Sequence, residues 1–357
     1  MRYLVTGAAG FIGSHLIGRL AAERDAEVLA IDNLNNYYDP RLKLKRLELL
    51  GFDFEGCVTE KIVPQSGIVC REVEYLSPPC MKEFTSTIYP GVKFVRADIS
   101  DSSAMETLFR EFGPQKVVNL AAMAGMRYSM ENPLPYVHTN ISGFLNILEC
   151  ARRHPVEGII YASSSSVYGE NHNIPFSESD RVEEPKSVYA ATKKCNELFA
   201  EVYNSAYHIP LTGLRFFTVY GEYGRPDMAP MLFADAIMNG EKIKVFNNGD
   251  MMRDFTYISD IIDGILKLVH APMPDESRIF NIGCGHPEKL EDFIRFLEQN
   301  LGSKGEKEYL PMQPGDITVT YADTTRLQDL FGYEPRISMP EGVARFAQWY
   351  KKEYFNI

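Results

Sequence analysis

Short apolar runs separated by amphipathic stretches set the rhythm of the first two-thirds of the chain: Tyr3 to Thr6, Val28 to Ile31, Lys93 to Arg96, Val117 to Leu120, Gly158 to Ser163 and Leu211 to Phe216. Each run reads as a strand, and stretches such as Phe11 to Arg24 carry helical spacing. Strand and helix in alternation predict βαβ units, hence a doubly wound parallel sheet with helices on both faces. The interval 48–91 breaks this rhythm. Its periodicity is weak and it holds the breakers Pro64, Gly67, Pro78 and Pro79, so it reads as an insertion that makes a solvated surface excursion. Within it, Pro64-Gln65-Ser66-Gly67 suits the turn of a short hairpin, Lys61 to Val63 against Ile68 to Cys70. Past Tyr168 the pattern loosens, and later helices are expected at Lys289 to Asn300 and Pro340 to Lys351. The expected division is a first domain over 1–169, which also receives about 189–221 and 252–272, and a smaller, discontinuous α/β domain over the rest of 170–357.

Composition narrows the possibilities. A chain of 357 residues with 45% hydrophobic and 24% charged residues is globular, and long enough for about two domains. Its net charge of -11 argues against nucleic acid or an anionic membrane as partner, because both call for a basic surface. No window approaches the ~20 apolar residues of a membrane span. The first strand starts at Arg2, leaving no room for a targeting peptide, so a cytoplasmic protein is expected. The six cysteines form no C-x-x-C and the seven histidines no H-x-x-x-H, so free thiols and no metal are expected.

The chemistry begins at Gly7-Ala8-Ala9-Gly10-Phe11-Ile12-Gly13. Glycines at 7, 10 and 13, after a strand and at the head of a helix, aim backbone N–H groups and the helix's positive end at a pyrophosphate. Flanked this way, the turn is a Rossmann dinucleotide fingerprint. Asp32 closes the second strand, where a carboxylate accepts hydrogen bonds from a ribose 2′-hydroxyl and repels a 2′-phosphate. No arginine follows it in Asn33-Leu34-Asn35-Asn36, so NAD is expected rather than NADP.

Tyr189 and Lys193 stand four apart at the head of a helix running to about Tyr207, so they share one side. An ammonium beside a phenol favours the phenolate and lowers its pKa from ~10 toward working pH, which makes a general base. Alone, Tyr-x-x-x-Lys is common surface decoration. The companion stretch Tyr161-Ala162-Ser163-Ser164-Ser165-Ser166-Val167-Tyr168-Gly169, a strand ending in four hydroxyls, gives it context.

With these pieces in order, together with Asp98-Ile99, Leu120-Ala121-Ala122 and Arg253-Asp254-Phe255-Thr256-Tyr257, the chain resembles the extended short-chain dehydrogenase/reductase family of nucleotide-sugar epimerases and dehydratases over nearly its whole length. The resemblance implies that Phe11, Ile12 and Asn33 join the glycines and Asp32 in holding NAD, with Asp98 and Ile99 flanking the adenine. Leu120, Ala121, Ala122 and Met123 would line the nicotinamide side, and Lys193 would hold its ribose. Ser164 would hydrogen-bond the sugar oxygen that Tyr189 deprotonates, with Ser165 and Ser166 beside it, while Arg253 and Asp316 would serve the substrate's diphosphate end.

Three further stretches, Asp32 to Asp39, Ala124 to Ser129 and Arg215 to Met228, are similar to the UDP-glucuronate 4-epimerase branch. That likeness implies that Arg127 contacts substrate and that Thr218 and Arg225 grip a sugar carboxylate; a planar guanidinium suits a carboxylate bidentately. It also implies a homodimer through 133–153 and 189–207. The implied reaction takes UDP-glucuronate to UDP-galacturonate: Tyr189 removes the C4 hydroxyl proton while C4 passes hydride to NAD⁺, and the 4-keto sugar turns over before hydride returns. Resident, tightly held NAD is expected. Asn119 and Gln313 depart from the family's usual His and Arg, and 48–91 matches it poorly. An epimerase of neutral UDP-hexoses stays open as an alternative, as does a decarboxylase making UDP-xylose. A 4,6-dehydratase needs an acidic pair where Ser165 and Ser166 stand. A non-catalytic NAD sensor would have no use for an activated phenol.

Overall fold

The computed structural model describes residues 1–65, 72–312 and 317–354. Strand β1 (Arg2–Thr6) lies inside an eight-stranded sheet. On one side of it follow β2 (Glu27–Asp32), β6 (Val92–Arg96) and β5 (Glu83–Thr85); on the other follow β7 (Lys116–Asn119), β8 (Gly158–Ser164), β9 (Leu211–Phe216) and β13 (Ser277–Ile282). β1, β2, β6, β7 and β8 pair in parallel. Their near-continuous apolar runs suit strands covered on both faces. The chain leaves β1 toward β2 on one side and later places β7 on the other, so a ligand crevice is expected at the carboxyl ends of β1 and β7.

By contact the chain divides into two compact units, Met1–Ser163 with Ser187–Leu214 and Leu268–Ile279, and Ser164–Lys186 with Arg215–Lys267 and Phe280–Ile357. In the first, α1 (Phe11–Leu20), α2 (Pro40–Leu49), α3 (Ser102–Phe112), α4 (Met126–Glu131), α5 (Leu134–Tyr136), a π-helical segment (Val137–Gly143), α6 (Phe144–Arg153) and α7 (Val188–Tyr207) accompany the sheet. Leu4, Ile31, Val117 and Ile159 pack there with Phe109, Phe144, Leu148 and Ala200 in one buried cluster. In the second unit, β10 (Thr218–Tyr220), β12 (Met252–Tyr257) and β14 (Pro287–Lys289) form one small sheet, while β11 (Ile243–Val245) and β15 (Lys307–Tyr309) form another. Its expected late helices are present at Leu290–Leu301 and Met339–Trp349. Among the described residues no helix is long and apolar enough to cross a membrane.

The interval 48–91 corrects the sequence reading. It is folded in part into the first unit's interior rather than solvated throughout. Phe52 and Phe54 are buried, with ring centroids 5.7 and 5.9 Å from that of Phe94, and β5 extends the main sheet antiparallel to β6. A hairpin does form, but wider than expected: β3 (Val58–Ile62) pairs with β4 (Val73–Ser77), from Val58 opposite Ser77 to Ile62 opposite Val73. The expected partner, Ile68 to Cys70, lies outside the described residues.

Candidate active site

The glycine turn is closely packed. Gly7 adopts φ +70°, and a Cβ on it would stand 2.7 Å from the Ala121 nitrogen. A Cβ on Gly13 would lie 2.1 Å from the Gly7 carbonyl oxygen, so only glycine lets α1 start against the turn. Gly10 is the residue just before α1 and has no side-chain cap, while Phe11 and Ile12 open the helix. Asp32 ends β2 as expected. Its carboxylate accepts from Ala9 N at 3.0 Å and Leu34 N at 2.8 Å, fixing the acid against the turn. Asn33 donates to Asp98 at 2.7 Å, so two expected cofactor residues from different strand ends are bonded to each other. Burial works to raise the Asp98 carboxyl, but hydrogen bonds from Ser100 and Asn33 hold it below its ordinary value. Ile99 is buried. Across the crevice position, Leu120 N and Ala121 N donate to the Thr6 backbone and hydroxyl oxygens. Thr6 in turn donates to Asn119 Oδ1 at 2.6 Å, so Asn119 ties β7 to β1.

Tyr189 and Lys193 lie in the first turns of α7, which Ser187 caps by accepting from Ala190 N. Lys193 is 2% exposed, its Nζ donates to Ala162 O at 2.7 Å and it stands 5.9 Å from the Tyr189 ring centroid. Burial pulls its pKa from 10.5 down to about 7. The ammonium is thus poised, and any neighbouring negative charge, a phenolate included, favours its protonated form. The Tyr189 backbone N–H donates to Ser129 Oγ at 3.1 Å, and the Tyr136 ring meets the Tyr189 ring edge-on at 6.2 Å.

All but one of the substrate-side residues named next belong to the second unit. Ser164 is buried and caps the 3-10 turn Ser165–Tyr168, accepting from Ser166 N and donating to Ser166 Oγ, both at 3.1 Å. Thr218 begins β10 opposite Phe255, and Arg225, on the following loop, is fixed to Asp227 through Nε at 3.0 Å. Arg253 on β12 donates to Met252 O at 2.9 Å and Thr318 O at 3.0 Å. Asp316 and Gln313 lie outside the described residues. Arg127, in the first unit, is exposed on α4.

Residues 3–283 match the NAD dependent epimerase/dehydratase family. The chain belongs to that family. It is 39% identical over 371 residues to a probable UDP-glucuronate 4-epimerase of Rhizobium meliloti, covering 99% of this chain and 98% of the relative. UDP-glucuronate 4-epimerase 4 of Arabidopsis thaliana is 40% identical, covering 98% of this chain and 75% of the relative. Among solved structures, a UDP-glucuronic acid 4-epimerase from Bacillus cereus, in complex with UDP-glucuronic acid and NAD, superposes with a TM-score of 0.84 at 30% identity, covering 99% of each chain.

Within this member of the epimerase/dehydratase family, three groups around the site escape sequence reading. Arg46 on α2 is 1% exposed and donates to Ala9 O at 2.9 Å and Tyr38 OH at 2.6 Å, placing a cation behind the glycine turn. Asn140, buried in the π-helical segment, accepts from Met123 N at 2.8 Å and donates to Met123 O at 2.9 Å and Thr192 Oγ1 at 3.0 Å, locking the segment after β7 to α7. Asp254, fully buried beside Arg253, accepts from Thr256 Oγ1 and from the Cys284, Gly285 and Ala322 N–H groups. An aspartate inside an apolar strand, as in Asp254-Phe255-Thr256-Tyr257, was the available signal for the last. Arg46 and Asn140 gave none, because their partners are remote in sequence.

Proposed function

We propose that this chain is an NAD-dependent epimerase that inverts C4 of a UDP-uronic acid, interconverting UDP-glucuronate and UDP-galacturonate. The observation that carries the reading is the buried Lys193, anchored on Ala162 O under Tyr189 at the head of α7, in a chain whose turn and acid fit NAD. The fit rests on a backbone cradle that a Cβ at Gly7 or Gly13 would fill, and on a carboxylate at Asp32 held at the end of β2. Bound NAD⁺ supplies a reversible two-electron acceptor. Gly7, Gly10, Phe11, Ile12 and Gly13 would hold its pyrophosphate, Asp32 and Asn33 its adenosine ribose, Asp98 and Ile99 its adenine, and Leu120, Ala121, Ala122 and Met123 its nicotinamide side.

Tyr189 acts as general base on the C4 hydroxyl and returns the proton after the 4-keto sugar has turned over, with Lys193 favouring its phenolate. Ser164 hydrogen-bonds the same oxygen. Ser165, Ser166 and Arg127 contact the substrate, and Arg253 and Asp316 serve its diphosphate end. A 4-keto uronate is a β-keto acid that loses CO₂ when the C5–C6 bond stands perpendicular to the ketone plane. Thr218 and Arg225 restrain the carboxylate against that geometry, and Asp227 holds Arg225 in place for it. We extend the reading to a cytoplasmic homodimer; supporting it are cysteines without disulfides at 57, 80, 150, 195 and 284 and the exposed Leu134, Val137, Leu198 and Val202 on the two segments expected to pair.

The test is incubation with NAD⁺ and either UDP-glucuronate or UDP-glucose, with products resolved by proton NMR. UDP-galacturonate without CO₂ is expected from the first, and Tyr189→Phe is expected to lower its rate by at least about 10²-fold while NAD stays bound. UDP-xylose as product, no turnover, or turnover of UDP-glucose alone overturns the proposal.

A further inference from the structure

The hairpin β3–β4 packs through one strand. Every residue of β3 is exposed except the half-buried Ile62, while β4 turns Val73, Tyr75 and Ser77 inward as buried residues. Where it attaches is the informative feature. Asp32 at the end of β2 stands opposite Arg96 at the end of β6, and the loop leaving Asp32, residues 33–39, is the one that borders the adenosine ribose in a site of this topology. From its inner side this loop is held by Asn33 to Asp98 and by Lys43, whose Nζ donates to Asn35 O and Oδ1, both at 2.8 Å. From the other side it is held by the hairpin: Asn36 Nδ2 donates to Val63 O at 3.2 Å, and Gln65 N donates to Asn36 O at 2.8 Å.

Arg96 joins the two bodies. Its Nε donates to Asn33 O at 3.4 Å, while Nη1 donates to Pro78 O at 3.1 Å and to Ser77 Oγ, and stands 3.7 Å from Glu60. Glu60 also accepts from Tyr75 OH at 3.0 Å across the hairpin. One guanidinium thus reaches the cofactor loop, the end of β4 and the middle of β3. The Glu60 pair is half in solvent and worth little; the bonds to Ser77 and Pro78 on one side and Asn33 on the other carry the connection.

We propose that the β3–β4 hairpin is a clasp on the adenosine end of the cofactor site, with Arg96 as the positioning residue that couples it to the loop after Asp32. The proposal rests on the reading that the turn and Asp32 hold NAD. Releasing the adenosine requires the loop to move outward, and every such movement breaks its bonds to Arg96, Val63 and Gln65 or drags the hairpin with it. An epimerase ends each cycle with its cofactor in the starting oxidation state, so a clasp that slows release costs no turnover.

The experiment compares the full chain with Arg96→Met, with Ser77→Ala combined with Glu60→Gln, and with a variant in which 58–77 is replaced by a short Gly-Ser link. NADH is bound, chased with excess NAD⁺, and its release followed by fluorescence; the NAD⁺ requirement for turnover is measured beside it. Losing one or two hydrogen bonds predicts release about tenfold faster and a half-saturating NAD⁺ concentration about tenfold higher, with a much smaller change in kcat. Arg96→Lys, which keeps the charge but not the fork, is expected to restore part of the retention. A purely structural role would lower the melting temperature and kcat together, and that result overturns the clasp. Release at the parent rate in Arg96→Met and in the shortened variant also overturns it, whereas a parent chain that binds no NADH overturns the function reading as well.

Discussion

Lys193 shows how much a single buried group can set. An ammonium 2% exposed, donating to Ala162 O inside the chain, is costly, and burial pulls its pKa to about 7. The consequence for stability has a definite sign. Below pH 7 the lysine is protonated folded and unfolded, and the folded chain bears the full penalty; between about 7 and 10.5 only the unfolded chain keeps the proton, so stability rises with pH across that window. Lys193→Met removes the penalty along with the assistance proposed for the Tyr189 phenolate. Its cofactor-free form is expected to melt higher than the parent by about 5 °C or more at pH 6, with the difference shrinking toward pH 10. Thermal unfolding at several pH values decides it, and a pH-independent difference would take the charge penalty away from Lys193.

Among the elements, the turn between β1 and α1 carries the strictest steric demand. A methyl group on Gly13 would stand 2.1 Å from the Gly7 carbonyl, a contact that only a shift of the backbone relieves. Gly13→Ala is therefore expected to weaken NAD binding by about 10²-fold or more through loss of the aligned N–H groups, as titration calorimetry would register; unchanged affinity would mean that the turn does not hold the pyrophosphate. This element was legible because its signal is local, as were β1, β2 and β7 to β9, whose apolar runs are their own evidence of burial. The Tyr189 helix could be read for the same reason, with Ser187 as its cap. β5 escaped reading because Glu83-Phe84-Thr85 is only three residues long and is fixed by its pairing with β6. The hairpin was read in kind and missed in register, since a Pro-Gly pair marks a turn without saying how far the strands run back from it. Phe52 and Phe54 look like loop aromatics until Phe94 is beside them.

For the whole molecule, the unanswered surface is on α7 and the segment that packs with it. Leu198 and Val202 stand four apart on α7 and are 56% and 57% exposed; Leu134, on α5, and Val137, which opens the π-helical segment after it, are 76% and 41% exposed. Residues three and four apart share a helix face, so each pair forms an apolar strip rather than scattered exposure. A two-fold axis that brings α7 of one protomer against its partner would cover the strips isologously, each protomer giving the same patch it receives. The nearby polar groups are already paired within the chain: Glu149 accepts from Arg152 at 3.0 Å and from Tyr203 OH at 2.8 Å, so little unmet charge stands in the way of burial. α7 is also the helix that carries Tyr189 and Lys193, so ordering its outer face would stiffen the element on which the proposed general base stands. Leu198→Glu combined with Val202→Glu places like charges where the axis would bring them together. The parent is expected to elute and scatter light as a dimer, the double variant as a monomer with reduced kcat and NAD still bound. A parent that is monomeric at micromolar concentration, or a double variant that remains dimeric, would move the interface off this face.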